Sequence, residues 1–138
     1  MKRLATLLVA LVALLHMGFL VIEMFLWTTP FAQKSFGMTE AFARESTVLA
    51  ANQGLYNGFL AAGLLWGLIT PDNGRAIKVF FLSCVIVAGI YGAATAKMSI
   101  LFIQAVPAVL ALIACWDRAS GPDCAPCLSG AYRRRRHR

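Results

Sequence analysis

Residues 4–27 read LATLLVALVALLHMGFLVIEMFLW, an apolar run whose only ionisable side chains are His16 and Glu23. A helix needs about 20 mostly apolar residues to cross the hydrocarbon core of a bilayer, so this run is long enough to span it. It also continues well past the roughly 7–15 apolar residues of a signal peptide, which favours an uncleaved first helix. The start of the chain therefore predicts a membrane protein.

The composition of the whole chain indicates the same class of protein. Of its 138 residues, 59% are hydrophobic and 14% are charged, whereas soluble domains carry about 25% charged residues. Three further apolar runs follow the first one, at residues 46–69, 77–96 and 99–116. We predict an all-α fold in which residues 1–117 form a bundle of four transmembrane helices. Residues 118–138 have no apolar period and are predicted to form a disordered cytoplasmic tail.

Basic residues predict the orientation of these helices. Four spans place both chain ends on one side of the membrane. Most of the thirteen Lys and Arg residues fall on that side, namely Lys2, Arg3, Arg75, Lys78, Arg118, Arg133, Arg134, Arg135, Arg136 and Arg138. The other side carries Lys34, Arg44 and Lys97. By the positive-inside rule, both termini are expected in the cytoplasm and the protein in the cell membrane.

Small residues and one proline predict how the helices meet. Gly54 and Gly58, and then Gly63 and Gly67, are spaced four apart in the second helix. Such pairs let helix backbones approach closely, and we interpret them as packing within the bundle. Pro107 removes one backbone hydrogen bond from the fourth helix, which predicts a kink there.

Polar side chains inside the predicted spans mark a candidate site, because such groups are costly in hydrocarbon. They are His16, Glu23, Asn52, Gln53, Asn57, Tyr91 and Gln104. Each helix carries at least one of them towards its outer end, so we predict a polar layer within the bundle that opens outward. An Asn or Gln in such a position often serves only to hold helices together, at roughly 0.6–2 kcal/mol per hydrogen bond.

Glu23 is the residue with the strongest claim to a functional role. No Lys or Arg lies in the interior of the predicted spans, so an ionised carboxylate lacks a partner there. Glu23 is expected either to hold a proton or to pair with His16, a ligand or a cation. One His supplies too few ligands for a metal or haem, so we predict no metal site and no cofactor.

The predicted tail carries two further features. Cys124 and Cys127 have the spacing of a redox dithiol or half a zinc knuckle, but the tail offers neither a helix nor enough further ligands, and we interpret the pair as incidental. The arginines from Arg133 to Arg136 are expected to bind anionic lipid headgroups. Nothing besides charge favours a nucleic-acid partner, and none is expected.

Several segments resemble one known family. They are EMFLW (23–27), NQGLYNGFL (52–60), VAGIYGAAT (87–95) and QAVPA (104–108), together with His16. Over residues 4–116 the chain resembles the thirteen-oh-four family of domains of unknown function, a group of small bacterial membrane proteins. The resemblance implies a four-helix membrane architecture, and it implies no established activity.

Three functions stay open from the sequence. The first is a small proton- or cation-linked carrier or binder of a small molecule, with Glu23 titrating and a homodimer enclosing the site. The second is an accessory membrane protein whose polar residues only fix helix packing. The third is an enzyme acting on a lipid or quinone headgroup with Glu23 and His16 as acid and base, which no catalytic motif supports.

Overall fold

The computed structural model describes residues 2–116, and all regular secondary structure within this range is helical. The all-α prediction is confirmed for these residues. The elements are α1 (Lys2–Phe25), α2 (Pro30–Phe36), α3 (Glu40–Glu45), α4 (Thr47–Ile69), α5 (Gly74–Thr95), a π-helical turn (Leu101–Ala105) and α6 (Val106–Trp116). The predicted tail, with its cysteine pair and arginine run, lies outside the described residues.

The long helices run antiparallel to their neighbours in the chain. Gly54 of α4 lies against Met24 of α1, and Gly58, one turn later in α4, lies against Leu20, one turn earlier in α1. In the same way α5 packs back along α4, and the π turn with α6 packs back along α5. Because α6 also contacts α1, the four long segments of residues 2–116 form a closed antiparallel ring.

Glycines set the distance between these helices. A Cβ atom on Gly63 would stand 2.2 Å from the ring of Phe81, and one on Gly89 would stand 2.9 Å from the backbone nitrogen of Ala105. Both distances are shorter than a van der Waals contact, so a larger residue at Gly63 needs the Phe81 ring to move, and one at Gly89 needs the helices to move apart. The predicted close packing at small residues is confirmed at these contacts.

The centre of the ring is filled mainly by small and branched side chains from all four long segments. The buried cluster contains Ala5, Val9, Val12, Ala13, Leu64, Leu82, Val85, Ala108, Ala111 and Cys115. Alanines contribute little area each, and they let the backbones come close enough for many weak dispersion contacts. The interior therefore has little free width, and each polar group placed inside it must be satisfied by a neighbour.

Pro107 accounts for the π-helical turn that precedes α6. Proline has no backbone N–H, and its ring clashes with the carbonyl of the residue four positions earlier, here Ile103. The chain adopts a wider turn in which the Val106 N–H donates to the Leu101 carbonyl, five residues earlier. The predicted irregularity thus takes the form of a π turn that leads directly into α6.

The connection between α1 and α4 is largely helical. The hydroxyl groups of Thr29 and Thr39 accept hydrogen bonds from backbone N–H groups in the first turns of α2 and α3, so both helices begin with a side-chain cap. Gly37 ends α2 in the left-handed conformation, with φ at 69°. The Trp27 indole donates to the Ser46 hydroxyl at 3.0 Å, which joins the end of α1 to the start of α4.

Candidate functional site

A hydrogen bond between α1 and α4 forms the centre of the candidate site. The Asn57 side-chain amide donates to Glu23 Oε2 at 2.7 Å and to the backbone carbonyl of Gln53 at 3.3 Å. Glu23 is 9% exposed and Asn57 is 3% exposed, so this pair lies inside the protein. The structure therefore brings together two of the predicted site residues that are far apart in the sequence.

Gly54 makes this contact possible. It lies one turn before Asn57 on the same side of α4, and a Cβ there would stand 2.7 Å from Met24 Cγ and 3.1 Å from Glu23 Cβ. Without a side chain at this position, α1 approaches α4 closely enough for the Glu23 carboxyl to reach the Asn57 amide. The glycine of the NQG sequence is thus part of the geometry of the site.

Within residues 2–116, the Glu23 carboxyl group has a neutral hydrogen-bond partner and no cationic one. The ion pair of this range joins Arg44 to Glu40 at 2.6 Å on the exposed surface of α3. Asn57 can donate to one carboxyl oxygen, but it brings no charge to balance an ionised carboxylate. The negative charge of the Glu23 carboxylate is therefore compensated only when the group holds a proton or when a cation binds beside it.

His16 lies on the same inward face of α1, two helical turns before Glu23. Its ring is 1% exposed, its Nδ1 donates to the Val12 carbonyl at 2.8 Å, and it meets the Phe19 ring edge-on with centroids 6.0 Å apart. Because a carbonyl can only accept, Nδ1 carries the proton, and Nε2 of the neutral ring has a free lone pair. Seven residues of helix separate His16 from Glu23 by about 10 Å, so the two groups do not pair directly.

Among the described residues, the side chains of the other predicted site residues make no hydrogen bond to the Glu23–Asn57 pair, although the Gln53 backbone carbonyl accepts one from Asn57. Asn52 and Gln53 are exposed on α4, Tyr91 is 70% exposed on α5, and Gln104 is half-buried in the π turn. The inward face of α4 contains Ala50, Gly54, Asn57 and Ala61. Asn52 is two residues from both Ala50 and Gly54, and two residues turn a helix by roughly 200°. Asn52 therefore falls on the opposite side of α4 from these two residues. Within one copy of the chain, the side chains of the expected polar layer therefore point in different directions.

The thiols and possible metal ligands of the described residues form no site. Cys84 is half-buried and Cys115 is buried, and both are free thiols. Across residues 2–116, no group of three or more His, Cys, Asp or Glu side chains is placed so that it could hold a metal ion.

A separate cleft lies at the end of the helices where α4 turns into α5. It has a volume of about 350 Å³ and is lined by Asp72, Asn73, Arg75, Ala76, Val79 and Trp116. The guanidinium carbon of Arg75 lies 5.8 Å from the centroid of the Trp116 ring. From the sequence, Arg75 contributes only to the prediction of orientation. Two features of the sequence mark residues of this cleft. They are the tryptophan that ends the fourth predicted span and the arginine just after the turn between the second and third spans.

The comparison with known proteins concerns nearly the whole described range. The family model described as "Protein of unknown function (DUF1304)" matches residues 10–116, which include all seven predicted site residues. The chain belongs to this family. The family resemblance of the sequence segments is confirmed by this match.

One relative supports the same assignment. The uncharacterized protein YpaA of Lactococcus lactis subsp. lactis is 30% identical over 115 residues, which cover 82% of this chain and 97% of the relative. No solved structure matches the chain. The family is described as being of unknown function and the relative as uncharacterized, so we argue the function from the residues themselves.

Proposed function

We propose that this chain is a multi-pass protein of the bacterial cell membrane, which it crosses four times with α1, α4, α5 and the π turn with α6. The proposed membrane domain is residues 1–117, and residues 118–138 are the proposed cytoplasmic tail. Two helices, Arg3–Phe25 and Gly74–Thr95, are long and apolar enough to cross a membrane by length and composition. The relative in a bacterium, Lactococcus lactis, supports the bacterial part of the proposal.

The outer surface of these two helices is the observation that carries the membrane proposal. Only 28% of the apolar window in the first helix and 17% of that in the second is buried. An apolar core helix of a soluble protein would be covered on most sides. Here Leu7, Leu14 and Val87 are each about two-thirds exposed, and a continuous surface of this kind matches lipid.

The two remaining spans are supported by their packing. α4 has 23 residues, enough to cross the hydrocarbon core, although Asn52, Gln53 and Asn57 interrupt its apolar sequence. It also presents Val48 and Ile69 outward at its two ends, both more than three-quarters exposed. α4 and the π turn with α6 each pack along α1 and α5, which supports placing them in the membrane beside these two helices.

The charged residues of the described range support cytoplasmic termini. Four basic residues, Lys2, Arg3, Arg75 and Lys78, lie at or within about one turn of the end where the chain begins and where α6 finishes, since Arg75 lies beside Trp116. Lys34, Arg44 and Lys97 lie in the connections at the other end. The more basic end of a membrane protein faces the cytoplasm, and the tail arginines would add to this bias. We also propose that those arginines contact anionic headgroups.

Reporter fusions test the topology. Alkaline phosphatase, active only outside the cytoplasm, is expected to be active when fused after Gly37 and inactive when fused after Asn73. A fluorescent protein that folds only in the cytoplasm is expected to fluoresce at the C-terminus of the full chain. The protein is expected to stay in the membrane pellet after an alkaline carbonate wash. Active phosphatase after Asn73 would contradict the proposed orientation, and release by carbonate would contradict the membrane location.

Within this membrane protein, we infer that Glu23 is the proton- or cation-binding group of a small carrier or small-molecule binder. The supporting observation is a buried carboxyl group whose described partner is the neutral amide of Asn57. Such a group binds a proton or a cation because its negative charge has no other compensation nearby. Asn57 holds the carboxyl in place, and the free lone pair of His16 supplies a second proton-binding atom deeper along α1.

A homodimer accounts for the polar residues on the outside of α4. Asn52 and Gln53 would face hydrocarbon or the headgroup region in a single copy. Side-chain amides both donate and accept hydrogen bonds, so the same face on two copies can pair with itself about a two-fold axis. In this arrangement Asn52 and Gln53 contact the second copy, whereas Tyr91 on α5 and Gln104 in the π turn remain proposed ligand contacts.

The accessory function is the second candidate, and one observation favours it. The Glu23–Asn57 hydrogen bond joins two helices that already pack closely through Gly54, so it has the geometry of a structural contact. The enzyme alternative gains no comparable support, because His16 and Glu23 are two turns apart and would need an intermediary to act as acid and base.

Ion flux in reconstituted vesicles tests the carrier proposal. Proteoliposomes with a trapped pH-sensitive dye are given an outward proton gradient and then external sodium or potassium. The wild-type protein is expected to dissipate the gradient, and Glu23→Gln is expected to reduce the rate at least about tenfold, since a neutral amide cannot exchange a proton or bind a cation strongly. Glu45→Gln, the same change at an exposed position, is the matched control and is expected to behave like wild type.

One result would contradict the carrier proposal. Equal rates for wild type, Glu23→Gln and protein-free vesicles would show that the protein carries no flux, and they would favour the accessory function. In that case a protein that co-purifies with wild type but not with Glu23→Gln would be the expected finding.

A further inference from the structure

The cleft between the α4–α5 turn and the end of α6 is the second polar feature of the described residues. Its volume of about 350 Å³ lies at the lower end of the range for small-molecule sites, roughly 300–1,000 Å³. It lies at the opposite end of the helices from Glu23, which is near the C-terminal end of α1. The proton or cation site therefore does not use it.

The cleft carries one positive and one negative side chain. Arg75 and Asp72 both line it, and within residues 2–116 neither of them takes part in an ion pair. The guanidinium carbon of Arg75 lies over the Trp116 ring, 5.8 Å from the ring centroid. This distance is within the roughly 6 Å of a cation–π contact. Arg75 is exposed, and two N–H groups on one edge of its guanidinium can donate parallel hydrogen bonds to a phosphate.

The start of α5 adds donors to the same cleft. Asn73 occupies the capping position but makes no side-chain cap hydrogen bond, and the first turn of α5 contains no acidic residue. The backbone N–H groups at the start of a helix lack partners within the helix, and they favour an anion. These groups supplement Arg75, which supplies the charge and the planar recognition.

We propose that this cleft binds the zwitterionic phosphoethanolamine headgroup of a phospholipid in the cytoplasmic leaflet. The phosphodiester lies on the guanidinium edge of Arg75, and the ammonium group donates to the Asp72 carboxylate. Val79 and the ring of Trp116 form the apolar side of the cleft, from which the acyl chains continue along α5 and α6. The inference rests on the proposed membrane location, because only then does this cleft meet lipid headgroups.

The pair of opposite charges selects among headgroups. A phosphatidylglycerol headgroup can satisfy Arg75 but offers Asp72 only neutral hydroxyl groups. A phosphatidylcholine headgroup carries a positive charge without N–H donors, so it cannot hydrogen-bond to the carboxylate. Phosphatidylethanolamine supplies both a phosphate acceptor and an N–H donor, and it is therefore the expected preferred lipid.

Native mass spectrometry of the full chain tests this site. The protein is purified from vesicles that contain equal amounts of phosphatidylethanolamine and phosphatidylglycerol, and the retained lipid is counted. Wild type is expected to retain phosphatidylethanolamine, and Arg75→Gln is expected to retain at least about fivefold less of it, whereas the phosphatidylglycerol held by the tail arginines is expected to stay the same. Asp72→Asn is expected to keep lipid but lose the preference for phosphatidylethanolamine.

A matched control and two contrary results decide the proposal. Lys34→Gln removes one positive charge at the other end of the helices and is expected to retain lipid like wild type. Equal loss in Arg75→Gln and Lys34→Gln would show a general charge effect and overturn the site. So would stabilisation of lipid-free wild type by soluble O-phosphoethanolamine without lipid retention, which would identify a free phosphomonoester as the ligand.

The experiments distinguish a wrong headgroup site from a wrong membrane location. A chain that does not belong in the membrane is released by the carbonate wash, whatever lipids it contacts. A chain that resists the wash but retains no lipid through Arg75 keeps its membrane location and loses only the proposed headgroup site.

Discussion

Glu23→Ala is expected to lower the free energy of unfolding by about 1–3 kcal/mol, because it leaves a buried amide without its acceptor. Asn57 is 3% exposed, so water cannot easily replace the carboxyl oxygen that lies 2.7 Å from its Nδ2. Glu23→Gln is expected to keep most of the stability, since the glutamine carbonyl oxygen can accept the same hydrogen bond. Thermal unfolding of the purified proteins in detergent measures both changes.

The same two variants separate a titrating role from a structural one. If Glu23 binds a proton or a cation, the wild-type melting temperature depends on pH or on added sodium or potassium, and this dependence is lost in Glu23→Gln. His16→Gln checks that the dependence does not come from the buried histidine on the same helix face. A wild-type melting temperature that depends on neither pH nor added sodium or potassium, with Glu23→Gln as stable as wild type, would show that the carboxyl group serves only to join α1 and α4.

Gly89→Leu is expected to have an effect of similar or larger size, about 3 kcal/mol of destabilisation through overpacking. A Cβ at this position would stand 2.9 Å from the backbone nitrogen of Ala105 and 3.0 Å from its Cβ. Backbone atoms cannot rotate away as a side chain does, so α5 and the π turn must separate. The expected result is a melting temperature many degrees below that of wild type, together with poor recovery from the membrane.

Gly18→Ala is the control for the Gly89 variant. Nothing lies within 4 Å of a Cβ at Gly18, so alanine adds no clash there and improves helix propensity by up to about 1 kcal/mol. It is expected to melt at or slightly above the wild-type temperature. A Gly89→Leu protein as stable as Gly18→Ala would contradict the close contact between α5 and the π turn.

Part of the candidate site could be predicted from the sequence, because the free energy needed to place a side chain in hydrocarbon depends on its residue type. Glu23 and His16 are informative in any apolar run, whatever surrounds them. The depth of a residue also follows from the sequence, since it is a count of residues from the helix end. On these grounds Glu23, Asn52 and Gln53 are expected in the outer third of the membrane, and His16 and Asn57 nearer its middle.

The rotation of each helix about its axis could not be predicted in the same way. The second helix is apolar on several sides, so no single stripe of residues identifies the inward face, and Asn52 is as plausible an inward residue as Asn57. The position of Gly54 against Glu23 decides the rotation of α4, and this contact exists only when α1 is present. As a result, Asn57 turns inward, whereas Asn52 and Gln53 face out.

The sequence by itself determined the helical class, the long apolar segments, the family and the ionisable residue that hydrocarbon would have to accommodate. These properties follow from hydropathy, residue type and short motifs, which act locally along the chain. Only the tertiary structure decided that Glu23 meets Asn57 instead of His16, that Pro107 gives a π turn against Gly89, and that Arg75 lies over the Trp116 ring. These contacts depend on distances between helices, and glycines far apart in the sequence set those distances.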